Sequence, residues 1–316
     1  MIPAVTLPVG KLIGLPNDSY HDAPAISHSK VEDFRKRASF YYAKHIAKRM
    51  EREETEDMLV GHASHTLILE GEDVYAARYG VLPENCPRKG TNVYKAAVEA
   101  ILAGRETPPC ILTFEQDKLN RRLRESVLRN TVARAILEDP GFVPEVTWRV
   151  RLANGLYLQC RTDGWIESLA PATAEILKRA CIPAEAGQSL AADLKTCGSL
   201  CGDDMGSFDK GALNYGYPRQ RAFYEPIIGA VRGAAPDHFL FIAVEKSEPF
   251  ETGVMTFDAA TMEIAAAENG NDTAALIDCY KSDDWSGVSQ EAVIHKELPE
   301  WYLRRAENSL ARNLNL

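Results

Sequence analysis

One change of period constrains this chain more than any other feature. From Glu145 to Leu152, the apolar residues Val146, Trp148, Val150 and Leu152 alternate with Glu145, Thr147, Arg149 and Arg151. Asn154-Gly155 follows, a pair that tolerates the positive φ of a tight hairpin turn. Leu156, Leu158 and Cys160 then alternate with Tyr157, Gln159 and Arg161. Two half-buried strands joined by a turn are predicted.

Upstream of the hairpin the period is helical. Ser29-Lys30-Val31-Glu32 reads as a capping box, and Val31, Phe34, Ala38, Tyr41, Tyr42 and His45 continue one helix from it. Further helices are predicted over 53–70, 93–103 and 114–137, the last stopping before Pro140, with a loop over 83–90. Downstream come a helix over 173–180, a strand over 190–196 and a Gly- and Asp-rich loop over 197–216. A helix over 217–232, strands over 239–246 and 253–257, and a helix from Ala259 complete the chain. Pro226 should kink or end its helix just past residue 224. This order describes one α/β or α+β domain over 1–316, with an irregular extension at 1–18 and an insertion at 168–188.

With 316 residues, 45% apolar and 26% charged, the chain is composed like an ordinary globular protein. No run approaches the roughly 18 apolar residues of a membrane span, so no membrane partner is expected. Met1–Gly14 lacks the pattern of a secretory signal, and the seven scattered cysteines suit a reducing cytoplasm. Cys197 and Cys201 form an isolated pair, which supports neither an iron–sulfur cluster nor a structural zinc site. The net charge of −9 argues against simple coating of nucleic acid. It leaves room for an enzyme with carboxylates at its centre and cations concentrated along one channel, such as Arg35-Lys36-Arg37, Arg121-Arg122 or Arg219 with Arg221.

The strands bring chemistry-bearing residues together. Tyr157, Gln159, Arg161 and Asp163 should share one strand face, and Asp193 and Lys195 another, with Leu194 pointing away. Two carboxylates and an ammonium on one side of a sheet can hold Mg²⁺ through oxygen ligands and act on a phosphodiester. Asp-x-Lys alone is far more often an exposed ion-pair face, so the surroundings decide.

Those surroundings resemble a known family. Gly61-His62-Ala63-Ser64-His65 with Leu67 and Leu69-Glu70 resembles the Gly-x-Ala-x-His helix of RecE-type exonucleases (exodeoxyribonuclease VIII) and their RecB-like relatives. Ile26-Ser27-His28-Ser29 is similar to that family's opening. Cys160-Arg161-Thr162-Asp163 and Ala192-Asp193-Leu194-Lys195-Thr196 resemble its catalytic strands. Tyr217, Gln220, Ala222, Phe223 and Tyr224 resemble its Tyr-x-x-Gln-x-Ala-Phe-Tyr helix, and Leu298-Pro299-Glu300-Trp301 its close.

The resemblance implies a restriction-endonuclease-like PD-(D/E)xK core, a mixed central sheet flanked by helices, with a helical N-terminal part. It implies Asp163, Asp193, His65 and the Leu194 carbonyl as metal ligands and Lys195 as the catalytic lysine. Gln220, Tyr224 and Tyr217 would position the phosphate or the attacking water. Glu145 would bind a second metal or pair with an arginine across the hairpin. Ser29 and Arg161 would contact DNA.

Two Mg²⁺ ions, replaceable by Mn²⁺, are implied, along with a ring-shaped homo-oligomer of phage or prophage type and a single-strand annealing partner. The implied activity is degradation of linear double-stranded DNA from the 5′ end, leaving 3′ single strands for recombination. The alternatives are a RecB-like nuclease of other polarity, an endonuclease, or a non-catalytic DNA-binding protein on the same fold. One departure bears on Asp163: the connection to Asp193 is longer than expected, and a displaced strand would remove Asp163 from the site.

Overall fold

The chain enters the fold through a short strand, β1 (Gly10–Leu12), and a helical turn, α1 (Asn17–Asp22). The computed structural model describes residues 7–50, 55–105, 107–202, 204, 206–287, 293, 297, 299, 300, 303 and 304. Leu298 and Trp301 lie outside them, as does Glu53 at the start of the second predicted helix.

The segment after α1 differs from the single capped helix that its periodicity suggests. Ile26 bridges to the hairpin, donating to the Tyr157 carbonyl at 2.8 Å and accepting from the Gln159 amide at 2.9 Å. That anchor fixes where the chain turns, so α2 (His28–Lys36) begins two residues early, with Ser27 at its cap position and no side-chain cap. Ser29 is exposed, its hydroxyl 3.1 Å from that of Ser27. Arg37 is extended and breaks the helix. A short α3 (Ala38–Tyr41) then runs into a π-turn over Tyr42–Ile46. The break lets Lys44 and His45 fold back onto Asp33 at 2.7 and 2.9 Å.

Next come α4 (Glu56–His65), continued by a π-helical segment over Thr66–Glu70, α5 (Glu72–Arg78) and β2 (Tyr79–Val81). These are followed by α6 (Asn92–Leu102) and β3 (Cys110–Leu112), which pairs in parallel with β2. The long predicted helix is two, α7 (Phe114–Arg129) and α8 (Thr131–Leu137). Asn130 divides them because its side chain caps the second, accepting from the amides of Val132 and Ala133.

The hairpin is present as β4 (Phe142–Arg151) and β5 (Tyr157–Ile166), with Gly155 at φ +88° in the turn. β6 (Leu190–Cys197), β7 (His238–Glu245) and β8 (Thr252–Met255) extend it into a six-stranded mixed sheet, ordered β1-β4-β5-β6-β7-β8. β6 and β7 are parallel and the other pairs antiparallel. Residues 1–18 are thus not wholly irregular, since β1 supplies the edge strand.

Helices cover both faces. α2, α3, α11 (Tyr217–Arg232) and α12 (Ala259–Ser282) pack one core with Trp148, Trp165, Phe239 and Phe241. α7, α8 and α9 (Pro171–Arg179) pack the other with Leu190, Leu194, Leu240 and Ile242. Alternate residues of β7 thus serve opposite cores.

The insertion does not displace its strands. Its ends meet each other, with Leu169 and Gln188 bonded at 2.8 Å and Gly187 and Leu169 at 3.0 Å. Ala174 and Leu177 of α9 fill the core between. β5 and β6 therefore pair in register, Gly164 opposite Ala192. A Cβ on Gly164 would lie 2.3 Å from the Phe142 ring, so any other residue there must push that ring aside.

One further expectation is corrected. The 197–216 loop contains α10 (Phe208–Asn214), capped by Ser207. α11 spans Tyr217–Arg232 as its spacing predicts, with Pro226 inside it and the side chains of Ile227 and Ile228 buried beyond it.

Candidate active site

The site forms where the β4–β5 ladder skips one pair and the β5–β6 ladder ends. Pro144 pairs with Gly164 and Val146 with Thr162, which leaves Glu145 facing Asp163 across the hairpin. Glu145 has φ +53°, a left-handed conformation unusual for a long side chain. Strict alternation breaks here, since Cys160 and Trp165 reach the same core although an odd number of positions apart. On the other edge of β5 the ladder to β6 ends at Gly164 and Ala192, with Asp163 and Asp193 next in line. Asp163 takes up the slack by accepting the Leu194 amide proton at 2.7 Å.

α4 brings His65 to this opening, its Nδ1 3.6 Å from Asp163, and the Leu194 backbone hydrogen-bonds to the ring. Glu145, Asp163 and His65 each offer a ligand atom, all within 4.8 Å of one another, the one such group among the described residues. Asp193 is 1% exposed. Its carboxylate meets the Lys195 ammonium at 2.5 Å and accepts from the Gln220 side-chain amide at 2.5 Å. α11 supplies Gln220 and, one turn either side, Tyr217 and Tyr224. The Lys195 ammonium lies 4.9 Å from the centre of the Tyr217 ring. Tyr224 is buried against Phe239.

The electrostatics show what such crowding costs. Burial pushes the Asp193 carboxyl up to about 6, and the Asp163 charge adds to the shift against the opposing Lys195. Burial likewise raises Asp163, although Lys195 and the Leu194 amide oppose it. Glu145 rises to about 8, through burial and then through Asp163. His65 falls to about 4, through burial and then the nearby Lys195 charge. Burial alone would lower Lys195, but Asp193 and Asp163 outweigh it and hold the ammonium above its usual range. Like charges kept this close and a neutral imidazole form a donor set suited to a divalent cation. The residues present therefore fit a metal.

A family described as "PDDEXK-like domain of unknown function (DUF3799)" matches residues 185–297, the stretch that carries Asp193, Lys195 and Gln220. A crystal structure from Eubacterium rectale, described as a "Putative exonuclease", matches with a TM-score of 0.57 at 14% identity, covering 92% of this chain and 98% of that one. The chain has the PD-(D/E)xK nuclease fold. At that identity the likeness is one of fold. No curated protein matches the chain.

Within the PD-(D/E)xK fold, the structure gathers His65, Asp163, Asp193, Leu194, Lys195, Gln220, Tyr217 and Tyr224 at one opening. Glu145 lies with His65 and Asp163 in that group and also pairs with Arg161 at 3.4 Å.

Arg161 is placed differently from expectation. It is 9% exposed, and its donors go to Thr147, Glu145 and the Leu15 carbonyl. Its guanidinium stacks 4.3 Å from the Tyr20 ring centre. It braces the hairpin rather than facing a groove. A Cβ on Gly61 would meet nothing within 4 Å. One helical turn before His65, it leaves open space beside the site.

Tyr20, whose phenol is pushed up by burial and by the charges of the site, was not singled out from sequence. Glu70, quoted with the His65 helix, adds to the field on Glu145 and is held by Arg78. A tyrosine in a six-residue helix carries no local signal of its destination.

Proposed function

We propose that the protein is a metal-dependent exodeoxyribonuclease that degrades linear double-stranded DNA from the 5′ end, leaving 3′ single strands for recombination. The observation that carries this is the buried Asp193, clasped by Lys195 and Gln220 at 2.5 Å each beside the His65–Glu145–Asp163 group. His65, Glu145 and Asp163 would hold one cation, and Asp163, Asp193 and the Leu194 carbonyl a second. Mg²⁺ is the expected ion and Mn²⁺ a substitute. When bound, it polarises the phosphodiester and lowers the pKa of water.

The chain's own groups do the rest. The Lys195 ammonium orients the attacking water and offsets charge that builds on the phosphate oxygens. Gln220 fixes the Asp193 carboxylate in one rotamer, and Tyr217 and Tyr224 wall the site from solvent. Ser29, exposed in the first turn of α2, is placed to meet a phosphate with the free amides of that turn.

Direction, product and setting rest on the RecE-type resemblance: a cytoplasmic ring of phage or prophage origin working with a single-strand annealing protein. Such a ring would turn the acidic exterior outward and reconcile DNA binding with a net charge of −9. No helix among the described residues is long and apolar enough to cross a membrane.

The test compares linear duplexes bearing 5′-phosphate or 5′-hydroxyl ends with a closed circle, in Mg²⁺ or Mn²⁺. Loss of linear DNA from the 5′ label inward, with the circle untouched, is the expected result. A cut circle would favour the endonuclease reading. Earlier loss of a 3′ label would reverse the polarity, and intact DNA throughout would overturn the proposal.

A further inference from the structure

An aromatic column runs out of the core past the catalytic lysine and ends in solvent. Phe241, fully buried in β7, is stacked on Tyr217 with ring centres 5.9 Å apart at 25°. Tyr217 is in turn stacked on Tyr215 at 6.3 Å and 25°. Tyr215 is 67% exposed and Leu213, two residues before it, 69%.

The platform is held firmly from below. Phe208 and Ala212 bury the inner side of α10. A Cβ on Gly211 would fall 2.9 Å from the Tyr217 hydroxyl, so that glycine allows the column to pass close to the helix. Gly216 turns the chain between the two tyrosines at φ +66°. The exposed ring is therefore an oriented surface on a packed support.

Its position relates it to the proposed chemistry. The steps from the Lys195 ammonium to the Tyr217 ring and on to Tyr215 are 4.9 and 6.3 Å, together about three rises of ~3.4 Å along a strand. Every base offers a π face, so an aromatic ring at that distance from a scissile phosphate can hold any sequence.

We propose that Tyr215 is a stacking platform at the lip of the groove, taking onto its outer face a nucleobase within about three nucleotides of the scissile phosphate. This rests on the nuclease reading above. The column Phe241–Tyr217–Tyr215 then continues into the substrate. A strand fixed in this way cannot slide while its phosphate sits at Lys195.

The test uses the full chain with Lys195→Ala as the binding background, so that DNA stays intact. Tyr215→Ala should weaken binding of an end-bearing duplex about tenfold, with Tyr215→Phe and Tyr215→Trp near wild type. 2-Aminopurine near the bound end should be quenched by the Lys195→Ala protein and released from quenching by the added Tyr215→Ala change. With Lys195 intact, Tyr215→Ala should slow degradation to a similar degree.

Equal affinity and quenching with and without the ring would overturn the proposal while leaving the nuclease reading in place. Equal losses in Tyr215→Ala and Tyr215→Phe would also overturn it, because the hydroxyl and not the ring would then be responsible. A change in oligomeric state on light scattering, with DNA affinity unchanged, would assign the patch to a second copy instead. If the wild-type chain neither binds nor cleaves DNA, both readings fall together.

Discussion

Two clusters in this molecule use the same residue types to opposite ends. Around Asp33, a carboxylate meets Lys36 at 2.8 Å, Lys44 at 2.7 Å and His45 at 2.9 Å. Burial penalises its charge, but hydrogen bonds from His45, Lys36 and Lys44 outweigh that and hold the carboxyl far below its usual range. Around Asp163, two more carboxylates and an imidazole share the Lys195 ammonium and the Arg161 guanidinium, yet all three carboxyls rise. The first cluster is electrically complete as folded. The second is short of positive charge, which is what a centre completed by a bound cation looks like before the cation is counted. Carboxylates that stabilise the fold and carboxylates arranged to accept a cation can thus be told apart by their unmet charge, not by residue type.

Neutralising one carboxylate in each cluster should separate the two most sharply. Asp163→Asn should cut DNA degradation by about a thousandfold or more and leave the fold intact. Metal ions should stabilise the wild type by about 2–3 kcal/mol at a hundred times the dissociation constant, a melting shift that Asp163→Asn should lose. Asp33→Asn should show the reverse, keeping degradation and the metal-dependent shift. It should lose about 1–3 kcal/mol of stability in urea, since Lys36 and Lys44 are partly exposed. If Asp33→Asn lost the metal shift too, the comparison would fail.

Acid sharpens the same contrast. Asp33 has a folded pKa below its unfolded value of roughly 3.9, so its contribution is present above that pH and lost as the pH falls through the folded value. Acid denaturation between about pH 4 and 2 should therefore be less steep in Asp33→Asn than in wild type. Equal slopes would mean that the three cations do not act through this carboxylate.

A smaller effect probes packing beside the metal-holding cluster. Gly164→Ala should destabilise by about 1–3 kcal/mol, because its Cβ must displace the Phe142 ring. An unchanged midpoint in urea would show that the ring moves freely.

How much of this was legible in sequence follows from the range of each interaction. The hairpin was, because alternation and Asn154-Gly155 are local. Asp193 and Lys195 were, because two positions on one strand fix a shared face. Gln220 and Tyr217 were, because helical spacing does the same. The breaks at Arg37 and Asn130 were not, since each depends on what distant groups demand: Asp33 reaching Lys44, or a side chain free to cap. β1 was not, because three residues carry no periodicity and the strand exists only by pairing with β4. Arg161 was misread for a related reason. An arginine beside a catalytic aspartate looks substrate-facing until Tyr20 and Leu15 arrive from far upstream to cover it. The left-handed Glu145 likewise sits at the one skipped pair of the β4–β5 ladder, beside the end of the β5–β6 ladder, which no local pattern records.

The central claim is tested most directly by following linear duplex DNA with Mg²⁺ or Mn²⁺ in the wild type and in Lys195→Ala, with circular dichroism confirming an unchanged fold. The account predicts degradation by the wild type and none by the variant. Undiminished degradation by a folded Lys195→Ala protein would contradict it.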